Sequence, residues 1–305
     1  MRRRVVVVAV VALLLLAAVW TRRRPRRGRA EPTPYPRRPT AAPLPPLDPA
    51  DLVIGVITSP ETFYRAIAVE NTWKPRSRSP VLIFGADVPP LPPAVWNSTS
   101  PRFLPANPRQ PVAMPVVHRL DVPAGHTHHI TKETTSMLQE LWTRYPHAKW
   151  YMKVDDDNYV LPDNVLWSLQ EYDWAEPRLL GHRDDDAIIY GGAGYILSRA
   201  AMQILIGALP DCLEAFGAVE HGEDELVSRC LREQGIPAER HPGHYHCNAT
   251  DAMQYYAGYH FPQGLEPRPL LFHWLTPSQQ YKYDYLLRVA RIHNLYDTEA
   301  PGAAP

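Results

Sequence analysis

Along this 305-residue sequence, short apolar segments alternate with segments of helical periodicity. Each apolar segment ends at a polar residue or a glycine. The apolar segments occupy residues 52–58, 81–84, 149–154 and 270–272. Apolar stripes typical of helices occur in residues 132–145, after Ser198, and after the acidic segment 222–224. This alternation predicts an α/β domain with a mainly parallel central sheet, whose ligands bind beyond the carboxyl ends of the strands.

The charge of the chain is distributed unevenly, although its net value is zero. Residues 1–50 hold 11 arginines against two acidic residues, whereas residues 51–305 hold 21 basic and 30 acidic residues. An acidic body of this kind argues against nucleic acid as a partner. Hydrophobic residues make up 45% of the chain, enough for a sizeable core, and three cysteines are too few for a disulfide scaffold.

An unbroken apolar run of 16 residues, residues 5–20, follows three arginines near the start of the chain. As a helix it would measure ~24 Å, which is shorter than the ~30 Å hydrocarbon core of a membrane. A cleaved signal peptide and an uncleaved anchor in a thin membrane both fit this length, and the lack of a small-residue cleavage site favours the anchor. We therefore expect a cytoplasmic tail (1–4), a signal-anchor helix (5–20), an Arg- and Pro-rich stem (21–50), a folded domain (51–297) and a flexible tail (298–305).

The orientation of this anchor is left open by the residues themselves. Six arginines follow the apolar run and three precede it, which by the positive-inside rule would keep the folded domain in the cytoplasm. Two N-glycosylation sequons, at Asn97 and Asn248, would instead be used only in the lumen.

Three consecutive aspartates, Asp155, Asp156 and Asp157, directly follow the apolar segment 149–154. Adjacent carboxylates repel one another unless a cation neutralises them. Because alternate residues of an extended chain project the same way, Asp155 and Asp157 can reach one ion. Oxygen ligands favour Mg²⁺ or Mn²⁺ over zinc, and an EF-hand is excluded because its sixth position would be Val160 rather than glycine.

Three other features are candidates for a ligand site beside the aspartates. Gly191, Gly192 and Gly194 form a small-residue loop between a β-rich segment and a helix, where backbone can approach a ligand closely. Asp224 lies in the first turn of a helix, where it can act as a general base, although the helix dipole alone also explains a carboxylate there. His273 ends the last apolar segment and can complete a metal site.

Two histidine clusters offer zinc binding as an alternative. They comprise His126, His128 and His129, and His241, His244 and His246 beside Cys247. Neither cluster follows a buried strand or has the spacing of a common zinc motif, so the sequence favours the aspartate site over a structural zinc.

Six motifs, in order along the chain, resemble those of the inverting β1,3-glycosyltransferases of glycosyltransferase family 31. They are Thr72-Trp73, the KxDDDxYV segment at 153–160, DNxxWxL at 163–169, GGAGYxLS at 191–198, EDxxxxxCL at 223–231 and FHW at 272–274. The resemblance covers about residues 52–297, and within the family it is closer to core 1 β1,3-galactosyltransferases than to Fringe. It implies a GT-A, Rossmann-like catalytic domain, Mn²⁺ as cofactor, and a single-pass type II protein of the Golgi or ER/Golgi membrane with this domain in the lumen.

The resemblance also implies a role for individual residues. Asp155 would contact the uridine-ribose side of a UDP-sugar and share the Mn²⁺ site with Asp157 and His273. Lys132 would lie near the phosphates, and Asp224 would deprotonate the acceptor hydroxyl. The loop of Gly191, Gly192 and Gly194 would shape the donor-sugar pocket, and Trp274 would also contact the donor.

The reaction implied is Mn²⁺-dependent transfer of galactose from a UDP-sugar to a GalNAc-type acceptor on glycoproteins. The partners implied are the donor, a glycoprotein or glycan acceptor and the membrane, and a homodimer is compatible with them. A Fringe-like β1,3-N-acetylglucosaminyltransferase that acts on O-fucose and a catalytically silent lumenal binding protein or chaperone remain as alternatives.

The chain departs from the family pattern at three places. His126 replaces a basic residue ahead of Lys132, Ser228 stands where the EDxxxG pattern has glycine, and residues 76–78 replace an early cysteine. A disulfide between Cys212 and Cys230 matches one in the family.

Overall fold

The structure is a computed structural model in which residues 45–86, 113–122, 130–184, 186–216, 222–245 and 268–292 are described. The chain divides into two compact units, Met1–Pro43 and Leu44–Pro305, and every described residue lies in the second. The expected cytoplasmic tail, the anchor, most of the stem and the expected tail at 298–305 lie outside the described residues, as do both sequons and Cys247. Among the described residues, no helix is both long and apolar enough to cross a membrane.

Ten strands and six α-helices make up the described domain. The strands are β1 (Leu52–Ile57), β2 (Val81–Gly85), β3 (Val117–Arg119), β4 (Trp150–Asp155), β5 (Tyr159–Val160), β6 (Leu179–Gly181), β7 (Tyr195–Ser198), β8 (Ala238–Arg240), β9 (His244–Tyr245) and β10 (Leu271–Phe272). The helices are α1 (Phe63–Asn71), α2 (Ile130–Arg144), α3 (Pro162–Leu169), α4 (Arg199–Phe216), α5 (Gly222–Glu233) and α6 (Pro277–Ile292). Short 3₁₀ turns lie at Pro49–Asp51, Lys74–Arg76 and Gly191–Ala193.

Seven strands form the central sheet in the order β3-β2-β1-β4-β7-β6-β8. The pairs β3–β2, β2–β1, β1–β4 and β6–β8 are parallel, whereas β7 is antiparallel to both β4 and β6. The sheet is therefore mixed and mainly parallel, which confirms the predicted α/β class.

Both faces of this sheet are buried, as the unbroken apolar strands predict. Along β1, Leu52, Ile54 and Val56 pack into one hydrophobic cluster, and Val53 and Ile57 pack into the other. Helices α2, α4 and α5 contribute to the second cluster, while α1 and α3 contribute to the first. The side chains alternate between faces because successive residues of a strand point in opposite directions.

Two sequence expectations are corrected by the structure. The predicted strand at 270–272 is β10, which joins a separate three-stranded sheet in the order β5-β10-β9 instead of the central sheet. The glycine loop does not lead directly into a helix, because strand β7 intervenes before α4 begins. Ser198 does cap that helix, since its Oγ accepts from the amide of Ala201 at 3.1 Å.

A disulfide joins Cys212 of α4 to Cys230 of α5 within the second hydrophobic cluster. This is the pairing that the family resemblance implies. It fixes the helix that carries Asp224 to its neighbour.

Candidate active site

The three aspartates lie where the parallel strands β1 and β4 end at the same edge of the sheet. Asp155 is the last residue of β4, and Asp156 and Asp157 form the turn that leads to β5. The Thr58 hydroxyl, just beyond β1, donates to Oδ2 of Asp156 at 2.7 Å. Burial, and then the charge of Asp157, raise the pKa of Asp156 to about 8. The middle aspartate is thus turned toward β1, and the outer two are left to face a ligand.

Asp155, Asp157 and His273 present carboxylate oxygens and an imidazole nitrogen that all lie within 4.8 Å of one another. His273 reaches this position because β10 pairs antiparallel with β5, the strand that follows the aspartates. Its Nε2 is 3.4 Å from Oδ1 of Asp157. Two carboxylates and one imidazole suit a divalent cation such as Mn²⁺. The donor set therefore fits the metal that the family resemblance implies.

A cavity of about 240 Å³ opens in front of this metal group. Gly192 and Trp274 line it together with the three aspartates and His273. The backbone of Trp274 is left-handed (φ 58°), an unusual conformation for a bulky residue, and its side chain is 55% exposed. The amide of Leu275 donates to the carbonyl of Asp157 at 3.0 Å, which ties this strained segment to the aspartate turn. Trp274 is thus held at the cavity, where a bound ligand can contact it.

Lys132 is not brought into this cavity. It is exposed in the first turn of α2, whereas its neighbours Ile130 and Glu133 line the cavity. Adjacent residues of a helix point about 100° apart, so only one side of this turn can face the aspartates. The structure therefore gives no support to the expected contact between Lys132 and a phosphate.

Arg65 is a site residue that sequence reasoning missed. It lies in α1, directly after β1, and its Nη1 is 3.1 Å from Oδ2 of Asp157 and 3.7 Å from Oδ1 of Asp156. It also lines the cavity. The contact between Arg65 and Asp157 could not be inferred from the sequence, because the two residues are more than 90 positions apart and Arg65 lies within an apolar helical stripe.

Lys153 is a second residue that was missed, although it belongs to the KxDDDxYV motif. Its ammonium is fully buried, 2.7 Å from Asp155 and 2.6 Å from Glu223, and it donates to the carbonyl of Gly191 at 3.1 Å. Burial alone would lower its pKa, but the charges of Asp155 and Glu223 outweigh burial and raise the pKa well above its ordinary value. Lys153 therefore links the aspartate turn to the start of α5 as a permanent cation.

Asp224 lies on the other side of the glycine loop from the metal group. Its Oδ2 accepts from the amide of Gly191 at 2.9 Å, and its Oδ1 accepts from the amide of Glu225 at 2.9 Å. It lines a second depression of about 290 Å³ and not the cavity of the aspartates. The geometry thus separates the candidate base from the metal group by the width of one loop.

The glycines of this loop are required by close contacts. Asn158 Nδ2 donates to the carbonyl of Gly192 at 3.0 Å, which holds the loop over the aspartate turn. A Cβ atom on Gly191 would collide with the Glu223 carboxylate, and Gly194 has a left-handed backbone (φ 67°) next to the carbonyl of Lys153. The loop is therefore shaped by its neighbours, with or without a ligand.

We expect the Gly192→Ala substitution to weaken metal binding by about tenfold or more. A Cβ atom at this position would lie 2.5 Å from Cε1 and 2.7 Å from Nε2 of His273, so the imidazole must move; disturbing the support of a metal ligand costs roughly 10–100-fold in affinity. Calorimetric titration with Mn²⁺ measures the change. The matched control is Gly207→Ala in α4, where no atom lies within 4 Å of the added methyl group; equal affinities of the two variants would contradict this account.

Of the two histidine clusters, only His241 and His244 are described. Their Nδ1 atoms are 3.2 Å apart, and both side chains are buried. Among the residues that the structure describes, the only group of three or more candidate metal ligands is Asp155, Asp157 and His273. Burial lowers the pKa of His241 to about 4 and lowers that of His244 well below its ordinary value. The pair thus forms a neutral contact within the core.

Because His241 and His244 are buried in the neutral form, we expect the protein to lose stability in mild acid. In the unfolded chain both histidines bind a proton near their ordinary pKa of about 6.5, whereas in the folded chain His241 stays neutral until the pH approaches 4 and burial lowers the pKa of His244 well below its ordinary value. The free energy of unfolding should therefore be fully retained above pH 6.5 and fall as the pH drops toward 4, by roughly 1 kcal/mol per histidine at pH 5.5. Urea denaturation at pH 7.5 and 5.5 measures this. The variant His241→Leu should reduce the dependence, and replacement of the exposed His147 by asparagine should not; equal pH dependence in all three proteins would rule out the buried pair as its source.

Comparisons with known proteins show that the chain is similar in sequence to glycosyltransferases. A family model described as "Protein of unknown function, DUF604" matches residues 186–260. Glycoprotein-N-acetylgalactosamine 3-beta-galactosyltransferase 1 of Xenopus laevis is 27% identical over 176 residues, which cover 48% of this chain and 47% of that protein. Chondroitin sulfate synthase 3 of Homo sapiens is 25% identical over 200 residues, which cover 60% of this chain and 20% of that protein. The chain thus spans about half of the first relative and a fifth of the second.

Two solved structures resemble the fold of this chain weakly. A glycosyltransferase involved in the glycosylation of the major capsid of PBCV-1 has a TM-score of 0.45 at 13% identity and covers 77% of this chain and 98% of its own. The galactosyltransferase LgtC in complex with donor and acceptor sugar analogs has a TM-score of 0.44 at 12% identity, with coverages of 82% and 98%. The sequence similarity to the two glycosyltransferases of Xenopus laevis and Homo sapiens supports the resemblance to the β1,3-glycosyltransferases of family 31 that the six motifs indicate.

Proposed function

We propose that this chain is an inverting β1,3-glycosyltransferase of GT-A architecture, which transfers galactose from UDP-galactose to a GalNAc-type acceptor on glycoproteins in an Mn²⁺-dependent reaction. The observation that carries the proposal is the group of Asp155, Asp157 and His273 at the carboxyl end of β4, with ligand atoms within 4.8 Å of one another. The galactose and GalNAc assignments rest on similarity to the Xenopus enzyme, whose name contains both sugars.

In this proposal Asp155, Asp157 and His273 would hold a Mn²⁺ ion. When bound, the ion supplies positive charge that stabilises the departing UDP. Arg65, at 3.1 Å from Asp157, keeps that carboxylate oriented, and Lys153 does the same for Asp155.

Asp224 is the proposed general base. Its carboxylate is held by the amides of Gly191 and Glu225 in the first turn of α5. It would accept the proton of the acceptor hydroxyl as the oxygen attacks the anomeric carbon, from the side opposite to the departing diphosphate. Attack from that side inverts the anomeric centre, and general-base assistance contributes on the order of 10²–10⁴-fold to the rate.

A screen of UDP-sugars with the purified full-length chain tests this function. We expect turnover with UDP-galactose and a GalNAc-terminated acceptor that requires Mn²⁺. Preference for UDP-N-acetylglucosamine with a fucose acceptor would instead assign the chain to the Fringe branch. Neither turnover nor UDP binding with any donor would contradict the enzymatic proposal and favour the silent binding protein.

We also infer that the chain is a type II membrane protein of the Golgi, with its catalytic domain in the lumen. The apolar run at residues 5–20 and the disulfide between Cys212 and Cys230 support this, because disulfides persist in oxidising compartments. We expect N-glycan on Asn97 or Asn248, detected as a gain in mobility after N-glycosidase treatment. A protein expressed in animal cells that reaches its active form without either glycan would weaken the lumenal placement.

A further inference from the structure

A short hairpin, residues 183–189, forms one wall of the depression that contains Asp224. Its ends form an antiparallel bridge, and it is described except for residue 185. The amide of Ile188 donates to Oδ1 of Asp184 at 2.8 Å, and Ala187 adopts a left-handed backbone with φ of 61°. The hairpin is therefore a tight turn that is closed by its own side chain.

Helix α5 fixes this hairpin in place. The buried Ser228 hydroxyl accepts from the amide of Ile189 at 3.0 Å, and Arg232 Nη1 donates to the carbonyl of Asp186 at 3.3 Å. The same helix carries Asp224 in its first turn. The position of the hairpin relative to Asp224 is thus set by contacts along a single rigid element.

Tyr190, the residue after the hairpin, lies beside Asp224 with 38% of its surface exposed. The ring of His182 supports it, with centroids 5.2 Å apart. The next residue, Gly191, donates its amide to Asp224 at 2.9 Å, so the ring and the carboxylate are separated by one residue of backbone. The depression of about 290 Å³ is lined by Asp184, Ile188, Ile189, Tyr190, Asp224 and Glu225.

We propose that this depression is the acceptor subsite, that a sugar ring stacks on Tyr190 with its reacting hydroxyl toward Asp224, and that Ser228 sets the geometry of the subsite. The proposal rests on the proposed function, since it takes Asp224 as the base. An aromatic face beside a few polar groups is the usual lining of a small-ligand pocket. A hydroxyl that donates to an ionised carboxylate forms one of the stronger hydrogen bonds available to a neutral ligand.

The position of the depression supports this division of the site. Gly192 lies against His273 on the metal side, and the adjacent Gly191 lies against Glu223 and Asp224 on the other. This arrangement places the base on the acceptor side, where the proton must be removed.

The charge of the depression selects among sugars. Asp184, Asp224 and Glu225 are its charged lining residues, and all three are acidic. Arg229, the nearest cation along α5, is paired with Glu225. Like charges repel, so the subsite should accept a neutral sugar such as N-acetylgalactosamine and disfavour a uronic acid or a sulfated sugar.

The test uses the full-length chain and the variants Tyr190→Ala and Ser228→Ala. We expect Tyr190→Ala to raise the acceptor KM about tenfold, because it removes an aromatic contact with the sugar. We expect Ser228→Ala to raise the acceptor KM several-fold, because it removes a buried hydrogen bond that positions the hairpin. The donor KM and the affinity for UDP with Mn²⁺, measured by calorimetry, should stay unchanged in both. Tyr285→Ala, which removes an exposed tyrosine of α6, should change neither KM.

A binding measurement keeps this inference separate from the proposed function. Saturation-transfer NMR with methyl α-N-acetylgalactosaminide should show contact with the wild type, a signal lost in Tyr190→Ala, and no comparable signal with methyl glucuronide. If no donor is turned over but this pattern appears, the proposed reaction fails and the subsite stands. If the wild type does not bind the glycoside, or if Tyr190→Ala binds it equally well, the subsite is overturned whatever the activity.

Discussion

Replacing Asp157 by asparagine should lower Mn²⁺ affinity and sugar transfer by more than about 100-fold. Removing a residue that only hydrogen-bonds to a metal ligand already lowers metal affinity ~10–100-fold. Asp157 is itself one of the two carboxylates in the metal group, so its loss should cost more. The substitution also removes the anionic partner of Arg65, 3.1 Å away, and leaves that partly buried cation beside a neutral amide. Calorimetry with Mn²⁺ alone gives the affinity, and initial rates at increasing Mn²⁺ give the activity.

The control for this substitution is Asp211→Asn, which makes the same chemical change on the exposed surface of α4. We expect it to keep wild-type affinity and turnover. If Asp157→Asn folds, binds Mn²⁺ as tightly as the wild type and retains its activity, then the three side chains do not form the metal site.

Replacing Asp224 by asparagine should reduce kcat on the order of 10²–10⁴-fold, the usual contribution of a general base. Asparagine has nearly the same shape, and its carbonyl oxygen can still accept one of the two amide hydrogen bonds that hold Asp224. The geometry of the loop should therefore survive while the proton acceptor is lost. The affinity for UDP with Mn²⁺ should remain within about twofold, because Asp224 does not line the cavity of the metal group.

Steady-state kinetics and calorimetry on the same preparation separate these two quantities. Asp211→Asn again serves as the control for removing one carboxylate. Full turnover of Asp224→Asn would show that another group accepts the proton. A parallel loss of UDP affinity would instead mean that the substitution disturbs the metal side through the glycine loop.

The metal group was predictable from the sequence to different degrees. Asp155 and Asp157 follow a buried strand and alternate in direction, so local pattern and sheet topology together indicate a shared ion. His273 was a candidate because it ends an apolar segment, but its approach to the aspartates depends on pairing between β5 and β10, which lie more than 100 residues apart. Strands of two residues are too short to show a period, so β5 and β9 of the second sheet could not be predicted.

The charged residues around the metal group were not predictable in the same way. Lys153 and Arg65 lie within apolar segments, where a single cation only interrupts the apolar pattern. Their acidic partners Glu223 and Asp157 come from distant parts of the chain. Lys132, in contrast, was predicted to lie at the site but does not line the cavity. It was assigned by motif position, but helix geometry turns its neighbour Glu133 toward the cavity instead.

The central claim is Mn²⁺-dependent transfer with inversion, and the anomeric configuration of the product tests it most directly. Proton NMR of a reaction between UDP-α-galactose and a GalNAc α-glycoside, run with the full-length chain, should show a β-linked product that forms with Mn²⁺ and stops when the metal is chelated. An α-linked product, or transfer that continues unchanged in excess chelator, would contradict the roles given to Asp224 and to the group of Asp155, Asp157 and His273.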